Sequence, residues 1–387
     1  MTICKKITFF LKGLKVLKFY FDNIIFSLQK IGGISLYWSE ILKRLQVTKL
    51  QNIVCFESSD KALNNIFRRN ILQKNIDNEK MKIIAEKLPK YFLRYLPLSV
   101  KIPSKNIFHS SYYRVSLQKD IVKFTTVYDF TYEYFRKGFA KYLHSWQKGF
   151  SFKHSDGIIC ISENTKKDLL KFYPYINESR IKVIYLSAGN EFFALNCAFD
   201  ELKNSFKEIV GKKYMLFIGS RDSHENFKIA IDILKSLNEY CLVVIGKVFD
   251  NIEKKLLKSI QDRVFHVCNI DSKMLNILYN NAFCLLYPSS YEGFGLPILE
   301  AMKSGCPVVS TNLSSIPEVV GDAALLVKEL SVSAFVDQIK ILNNSEFRKE
   351  LIQKGFVQAE KFSWDKCFNE TMEFYQEIYK LKFGEEF

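Results

Sequence analysis

Two carboxylates carry the clearest chemistry in the chain. Glu292 and Glu300 stand with seven residues between them in the stretch Tyr287–Val309, YPSSYEGFGLPILEAMKSGCPVV. Gly293 and Gly295 flank Phe294 just after the first of them. Glycines let backbone N–H groups approach a ligand closely, and the helix start that follows at Leu296 favours an anion such as a phosphate. Glu300, a turn further in, can accept hydrogen bonds from sugar hydroxyls, while Glu292 can reach the other end of the same ligand. A plain surface loop whose helix-start Glu is favoured by the dipole is the competing reading. A second glycine pair, Gly32–Gly33, precedes apolar residues at helical spacing (Ser35 to Leu45) and reads either as another anion cradle or as a simple turn.

These residues need elements to hold them. FCLLYPS (Phe283–Ser289) is short, uncharged and ends near Pro288, which predicts a buried strand of a parallel sheet. LPILEAMKSG (Leu296–Gly305) predicts a helix, with Pro297 in its first turn and Gly305 just past its end. PVVST (Pro307–Thr311) is the next strand. The unit is strand, Gly-loop, helix, strand, with its loop at the carboxyl end of a strand, where open α/β sheets bind ligands. The same alternation runs through the rest of the chain. Strands are expected at Val16–Asp22, Asn52–Glu57, Asn106–Tyr113, Ile121–Asp129, Gly157–Ser162 and Ile181–Gly189, and again at Tyr214 onward, Cys241–Lys247 and Val264–Asn269. Residues 60–105 read as helical, and residues 190–212 as a linker.

Several strand ends carry polar groups. Asp129 ends its strand and could bond a sugar or simply close a turn. His109 lies at the end of another strand, as a functional or a structural histidine. Ser162 and Glu163 open a helix at a strand's carboxyl end. Tyr214–Phe227, YMLFIGSRDSHENF, sets Gly219 after a strand, then Arg221, and then a helix from about Asn226 with Lys228 in it.

The string EGFGLPILEAMKSGCPVV resembles the E-x7-E signature of the retaining glycosyltransferases of family 4, and the resemblance extends from about Lys15 onward. It implies an α/β GT-B fold: two Rossmann-like domains facing across a cleft, with a C-terminal helix crossing back to the first. The expected domains are an acceptor-binding domain over residues 1–190, a donor-binding domain over 191–364 and the returning helix over 365–387. The implied activity is transfer of a sugar from a nucleotide-diphosphate-sugar to a hydroxyl of a saccharide or lipid-linked acceptor, with retention, in surface polysaccharide or lipopolysaccharide synthesis. The resemblance gives Glu292, Arg221 and Asp129 catalytic roles. It gives Gly293, Phe294, Gly295, Leu296, Glu300, Gly219 and Lys228 donor-binding roles. Gly32 and Gly33 then lie near the donor phosphates and the acceptor, and Tyr128, His109, Ser162 and Glu163 line the cleft.

Two positions depart from the family pattern. Tyr128 stands where relatives often have His, and it cannot serve as a base near neutral pH, since its pKa is about 10. Glu225 replaces the Lys that usually precedes Asn226, and a carboxylate there repels a diphosphate unless it points away and a cation such as Lys228 substitutes. These departures keep a non-catalytic nucleotide-sugar- or membrane-binding relative open as an alternative, alongside a sugar-nucleotide epimerase and a glycogen-type synthase or phosphorylase.

Composition agrees with a globular two-domain chain: 387 residues, 48% hydrophobic and 25% charged. Residues 1–191 carry 33 Lys and Arg against 15 Asp and Glu, while the rest carries 23 against 26, so the basicity belongs to the first half. Without a nucleic-acid-binding signature, this suggests an anionic membrane surface or a phosphorylated substrate. Lys5, Lys6, Lys12, Lys15 and Lys18 break up any signal-peptide core and suit either a segment lying on a membrane or a frayed terminus. Nine cysteines without a C-x-x-C pair read as free thiols in a reducing compartment. The five histidines have no metal-ligand spacing and no Asp-x-Asp metal motif is evident, so neither metal nor cofactor is expected. The expected location is the cytoplasm, with peripheral contact to the inner face of the membrane.

Overall fold

The computed structural model describes residues 17–48, 53–58, 64–73, 81–86 and 88–386. The basic N-terminal segment read above as a membrane contact lies outside the described residues, apart from Lys18. The chain divides into two compact units, one running to Tyr185 and resumed at Trp364, the other Leu186–Ser363.

The first unit is built on a seven-stranded, wholly parallel sheet. Its strands are β1 (Phe19–Asp22), β2 (Ile53–Ser58), β3 (Met81–Glu86), β4 (Ile107–Ser110), β5 (Val122–Val127), β6 (Gly157–Cys160) and β7 (Ile181–Val183), in the order β3-β2-β1-β4-β5-β6-β7. β1 and β5 are buried along their whole length, as expected of strands covered on both faces. The helices that matter below are α1 (Gly33–Val47), α2 (Phe139–His154) and α3 (Glu163–Phe172).

The second unit holds a six-stranded parallel sheet. Its strands are β8 (Tyr214–Ile218), β9 (Cys241–Ile245), β10 (Val264–Val267), β11 (Cys284–Tyr287), β12 (Val308–Thr311) and β13 (Leu325–Val327), ordered β10-β9-β8-β11-β12-β13. In register, Leu285 of β11 lies between Leu216 of β8 and Val308 of β12. The order therefore reverses between β8 and β11. Helices α4 (Phe227–Ser236) and α5 (Leu296–Lys303) follow those two strands. Ile231, Leu234, Val244, Leu286 and Phe335 belong to one fully buried core beneath them.

The last helix, α6 (Trp364–Phe383), belongs to the first unit. It buries Trp364, Cys367, Phe368, Thr371, Phe374, Tyr375, Ile378 and Tyr379, a helical stripe that turns one face to the sheet. Phe374 and Tyr375 lie with ring centroids 5.6 and 4.5 Å from Phe124 of β5.

Two stretches differ from the sequence reading. Residues 60–105, expected to be helical, contain the edge strand β3, which pairs along its length with β2. Its residues are all exposed or half-buried, as suits an edge strand, and its short apolar run Ile83–Ala85 is flanked by Lys82 and Glu86. Residues 190–212, expected as a linker, belong to the second unit and include a helix over Ala198–Ser205. The unit boundary accordingly falls at Tyr185/Leu186, ahead of the expected 190/191.

Candidate functional site

The reversal of strand order between β8 and β11 creates a switch point, where loops leave in opposite directions and open a crevice at the strands' carboxyl ends. The two loops there are Gly219–Asn226 and Pro288–Gly295. They are fastened to each other: Asn226 Nδ2 donates to the Pro288 carbonyl (2.9 Å), and the Ser290 amide and hydroxyl donate to the His224 carbonyl (2.8 and 3.0 Å). Asn226 adopts a left-handed conformation (φ 54°) that Asn tolerates better than most residues. A third loop adds stitches. Ser314 Oγ donates to the Glu292 carbonyl (2.6 Å) and accepts from the Glu292 amide (3.2 Å), while the Ser315 hydroxyl reaches the carbonyls of Glu292 (2.9 Å) and Phe294 (3.1 Å). The Gly-loop is thus held from outside by the hydroxyls of Ser314 and Ser315 on its backbone carbonyls. Gly295 caps α5 at φ +100°, a conformation that favours glycine.

The carboxylates sit around this frame. Glu300 is half-buried on α5. The Tyr279 hydroxyl lies 3.0 Å from its Oε2 and 3.2 Å from the Pro297 carbonyl. Burial pushes the Glu300 carboxyl up to about 7, helped by the charge of Glu191 and opposed by the Tyr279 hydrogen bond. Glu292 hydrogen-bonds the buried Tyr287 phenol, whose pKa is held well above 10 by burial first, then by the charge and hydrogen bond of Glu292, then by the charge of Glu225. Phe294 turns its ring into the core against Phe362 (5.8 Å), so only its backbone is available to a ligand. Leu296 is half-buried at the start of α5.

Arg221 takes a position the sequence does not reveal. Where a guanidinium facing a diphosphate is expected, its side chain is 3% exposed and is bound within the protein. Nε donates to Glu253 Oε1 (2.6 Å), Nη2 donates to the Lys247 carbonyl (2.7 Å), and the group packs over Phe249 and Phe227. Glu225 does not point away. Its carboxylate turns back into its own loop, where it accepts from the Ser220 amide (3.2 Å) and from the Arg221 amide. Gly219 leaves room for it, since a Cβ there would lie 2.5 Å from Glu225 Oε2. Lys228 is exposed in the first turn of α4.

In the first unit the expected residues lie at the start of α1 and at the ends of β4, β5 and β6. Gly32 caps α1 in an extended conformation, and Gly33 is exposed at its first position. The Ser35 amide donates to Gln29 Oε1 (3.3 Å), and a Cβ on Gly32 would collide with that same Gln29 oxygen. Asp129 closes a turn by accepting from the Thr131 amide (3.1 Å). Beneath it the buried Lys148 donates to the Asp129 carbonyl (2.6 Å) and to Glu133 (2.9 Å). Tyr128 is buried and donates to the Ser111 carbonyl (3.0 Å). His109 is wholly buried between the Tyr375 hydroxyl at Nδ1 (2.5 Å) and Thr126 Oγ1 at Nε2 (3.0 Å), and burial pulls its pKa down to about 3. It is a neutral structural histidine that ties β4 to α6. Ser162 caps α3 by accepting from the Thr165 amide (3.0 Å), and Glu163 is exposed in the first turn.

Sequence reasoning missed Tyr279, Tyr287, Ser314, Ser315 and Glu191. The hydroxyls in NLSSIPEVV were the available signal, but nothing local says that they bond a loop twenty residues earlier. Among the described residues no cluster of three or more His, Cys, Asp or Glu is placed to hold a metal ion. The eight described cysteines are all free.

Known proteins resemble the chain in both units. The family described as Glycosyl transferases group 1 matches residues 198–358, and that described as Glycosyltransferase Family 4 matches residues 31–187. Together the two matches, one in each unit, support a group 1 glycosyltransferase. It is 29% identical over 231 residues to the O-antigen chain mannosyltransferase B of Escherichia coli, a match covering 57% of this chain and 60% of that protein. Sucrose-phosphate synthase from Thermosynechococcus elongatus has the same fold (TM-score 0.72, 16% identity, 94% of this chain and all of that one). So does Anabaena HepE in complex with UDP-glucose (TM-score 0.70, 12% identity, 93% of this chain and all of that one). The fold is therefore GT-B.

Proposed function

We propose that the protein transfers a hexose, mannose being the first to test, from a nucleotide-diphosphate-sugar to a hydroxyl of a saccharide or lipid-linked saccharide, with retention, during cell-surface polysaccharide synthesis. The observation that carries this reading is the pair of clasped loops at the switch point of the second sheet, with Glu300 and Glu292 beside them. The ribose hydroxyls of the donor bond Glu300, and the backbone of Gly293 to Gly295 meets the sugar and phosphates. Glu292 contacts the sugar. The acceptor oxygen forms a bond to the anomeric carbon as the carbon–oxygen bond to the diphosphate breaks, and the acceptor proton passes to a diphosphate oxygen. Lys228 and the loop amides face the charge that develops on the leaving group. We assign Arg221 to fixing the loop, since its guanidinium is engaged by Glu253. The similarity to an O-antigen mannosyltransferase supports the sugar and the setting. No metal or cofactor enters this scheme, and transfer is expected to persist in EDTA.

We assign the acceptor to the first unit and place it against an anionic membrane on the cytoplasmic side. Phe139, Tyr142 and Trp146 form one stripe on α2 and are 80, 73 and 56% exposed. Arg136 and Lys137 are exposed just before it. Aromatic rings with neighbouring cations suit the interface of an anionic bilayer. No helix among the described residues is long and apolar enough to cross a membrane.

The test is thermal stability of wild type and Glu300→Ala against UDP-, GDP-, ADP- and CMP-sugars. One nucleotide class should stabilise wild type by about 2.7 kcal/mol at a hundredfold excess over Kd, and not the variant. A second reading, a non-catalytic nucleotide-sugar-binding relative, is motivated by Glu225. Donor binding without transfer to any acceptor would favour it.

A further inference from the structure

The Glu225 carboxylate finds its partners within its own loop. The Ser220 amide donates to Oε1 at 3.2 Å and the Arg221 amide donates to Oε2. The Ser220 hydroxyl lies 3.0 Å from Glu225 Oε1 and 2.8 Å from Asp222 Oδ2. Consecutive backbone N–H groups that converge on one point form a nest suited to an anion. Here the nest is built from several directions. Arg221 sits at φ 61°, and its guanidinium holds that conformation through Glu253 and the Lys247 and Val248 carbonyls. Asn226, also left-handed, reverses the chain so that Glu225 faces back. Gly219 lacks the Cβ that would displace the carboxylate.

The nest lies at the carboxyl end of β8, beside β11, which is where the donor reading puts the diphosphate. We propose that Glu225 is an internal occupant of the phosphate subsite and sets the affinity for the donor. The proposal rests on that donor reading. A donor phosphate gains the Ser220 and Arg221 amides only when the Glu225 side chain swings out. The apparent Kd then rises by the inverse of the fraction of molecules in which the nest is open. Loops of this kind ordinarily offer such amides to a phosphate directly. In this chain the protein's own carboxylate competes for them.

The experiment is isothermal titration of UDP, GDP and ADP, and of uridine, guanosine and adenosine, into wild type, Glu225→Gln, Glu225→Asp and Glu300→Ala. The diphosphate that binds wild type is expected to bind Glu225→Gln about tenfold tighter, with the matching nucleoside unchanged. Glu225→Asp keeps the charge but is too short to span both amides. It should gain less, and it carries the test if circular dichroism shows Glu225→Gln unfolded. Equal or weaker diphosphate binding by the folded variants overturns the inference, as does an equal gain by the nucleoside. Loss of binding in Glu300→Ala would still uphold the donor reading in those cases. No diphosphate binding to any of the four proteins overturns both.

Discussion

At the switch point of the first sheet, between β1 and β4, Arg114 donates to Asp22 (2.9 Å) and to both oxygens of Glu86 (2.7 and 3.0 Å), and Ser110 completes Asp22 (3.1 Å). Asp22 and Arg114 are buried. Burial pushes the Asp22 carboxyl up and the Arg114 charge opposes it. Beside them Arg68 and Glu57 form a second buried pair (2.7 Å), to which Asn23 also donates. At the switch point of the second sheet, by contrast, the loops are tied by backbone carbonyls and by Asn and Ser side chains, and the Arg221 guanidinium is drawn off to Glu253. Two sheets that share the same strand order around the switch point therefore use the same crevice differently. One fills it with a cross-linked ion network, and the other holds open loops whose carboxylates remain at a half-buried edge. A shared fold fixes where a site can be, and the side chains decide whether it is one.

The comparison can be broken at several points. Arg114→Ala leaves Asp22 buried without its cation and should destabilise the first unit by about 3–5 kcal/mol, read as a shift of its denaturant midpoint, with nucleotide binding by the second unit preserved. If stability is unchanged, the network is not structural. Glu300→Ala removes the acceptor of two proposed ribose hydrogen bonds and should weaken nucleotide binding about a hundredfold by calorimetry, with little change in folding. A loss of only a factor of two would move the ribose elsewhere.

The pH dependence is a sharper test. A carboxyl raised to about 7 is neutral below that pH in the folded protein, so donor binding through its ionised form should fall about tenfold from pH 8 to pH 6. Stability has the opposite sign. Between the ordinary carboxylate range and 7 the folded state binds the extra proton, so the Glu300 contribution to stability declines as pH rises through that window. Parallel slopes for binding and stability would exclude Glu300 as the titrating group. The smallest expected effect is at the surface. Lys137→Gln should cost about 1 kcal/mol in binding to phosphatidylglycerol vesicles at low salt, in a sedimentation assay, and nothing with neutral vesicles. An equal loss with both would argue against an anionic surface.

Much of the second unit's site was legible in the chain. The FCLLYPS run, the glycines around Phe294, Pro297 near the helix start and Gly305 beyond its end are local signals, and β11, α5 and β12 form within a residue or two of the expected bounds. The first unit was less legible where its signals are not local. β3 has only the short apolar run Ile83–Ala85 between charged residues, and its pairing with β2 makes it a strand. His109 and Tyr128 are expected to line the cleft from the family resemblance, with a structural histidine the other reading of His109. Their partners in space are Tyr375, 266 residues away, and the Ser111 carbonyl.

By itself, then, the amino-acid order determined the succession of strands and helices, the place of the Gly-loop and the two carboxylates on it, because turn chemistry and apolar periodicity act over a few residues. Tertiary structure alone decided which charges are spent inside the fold. Glu253 reaches Arg221 from 32 residues on, and Arg114 bridges β1 and the edge strand. A charge taken out of water must find an opposite partner wherever the fold brings one, and that choice is not written in its neighbours along the chain.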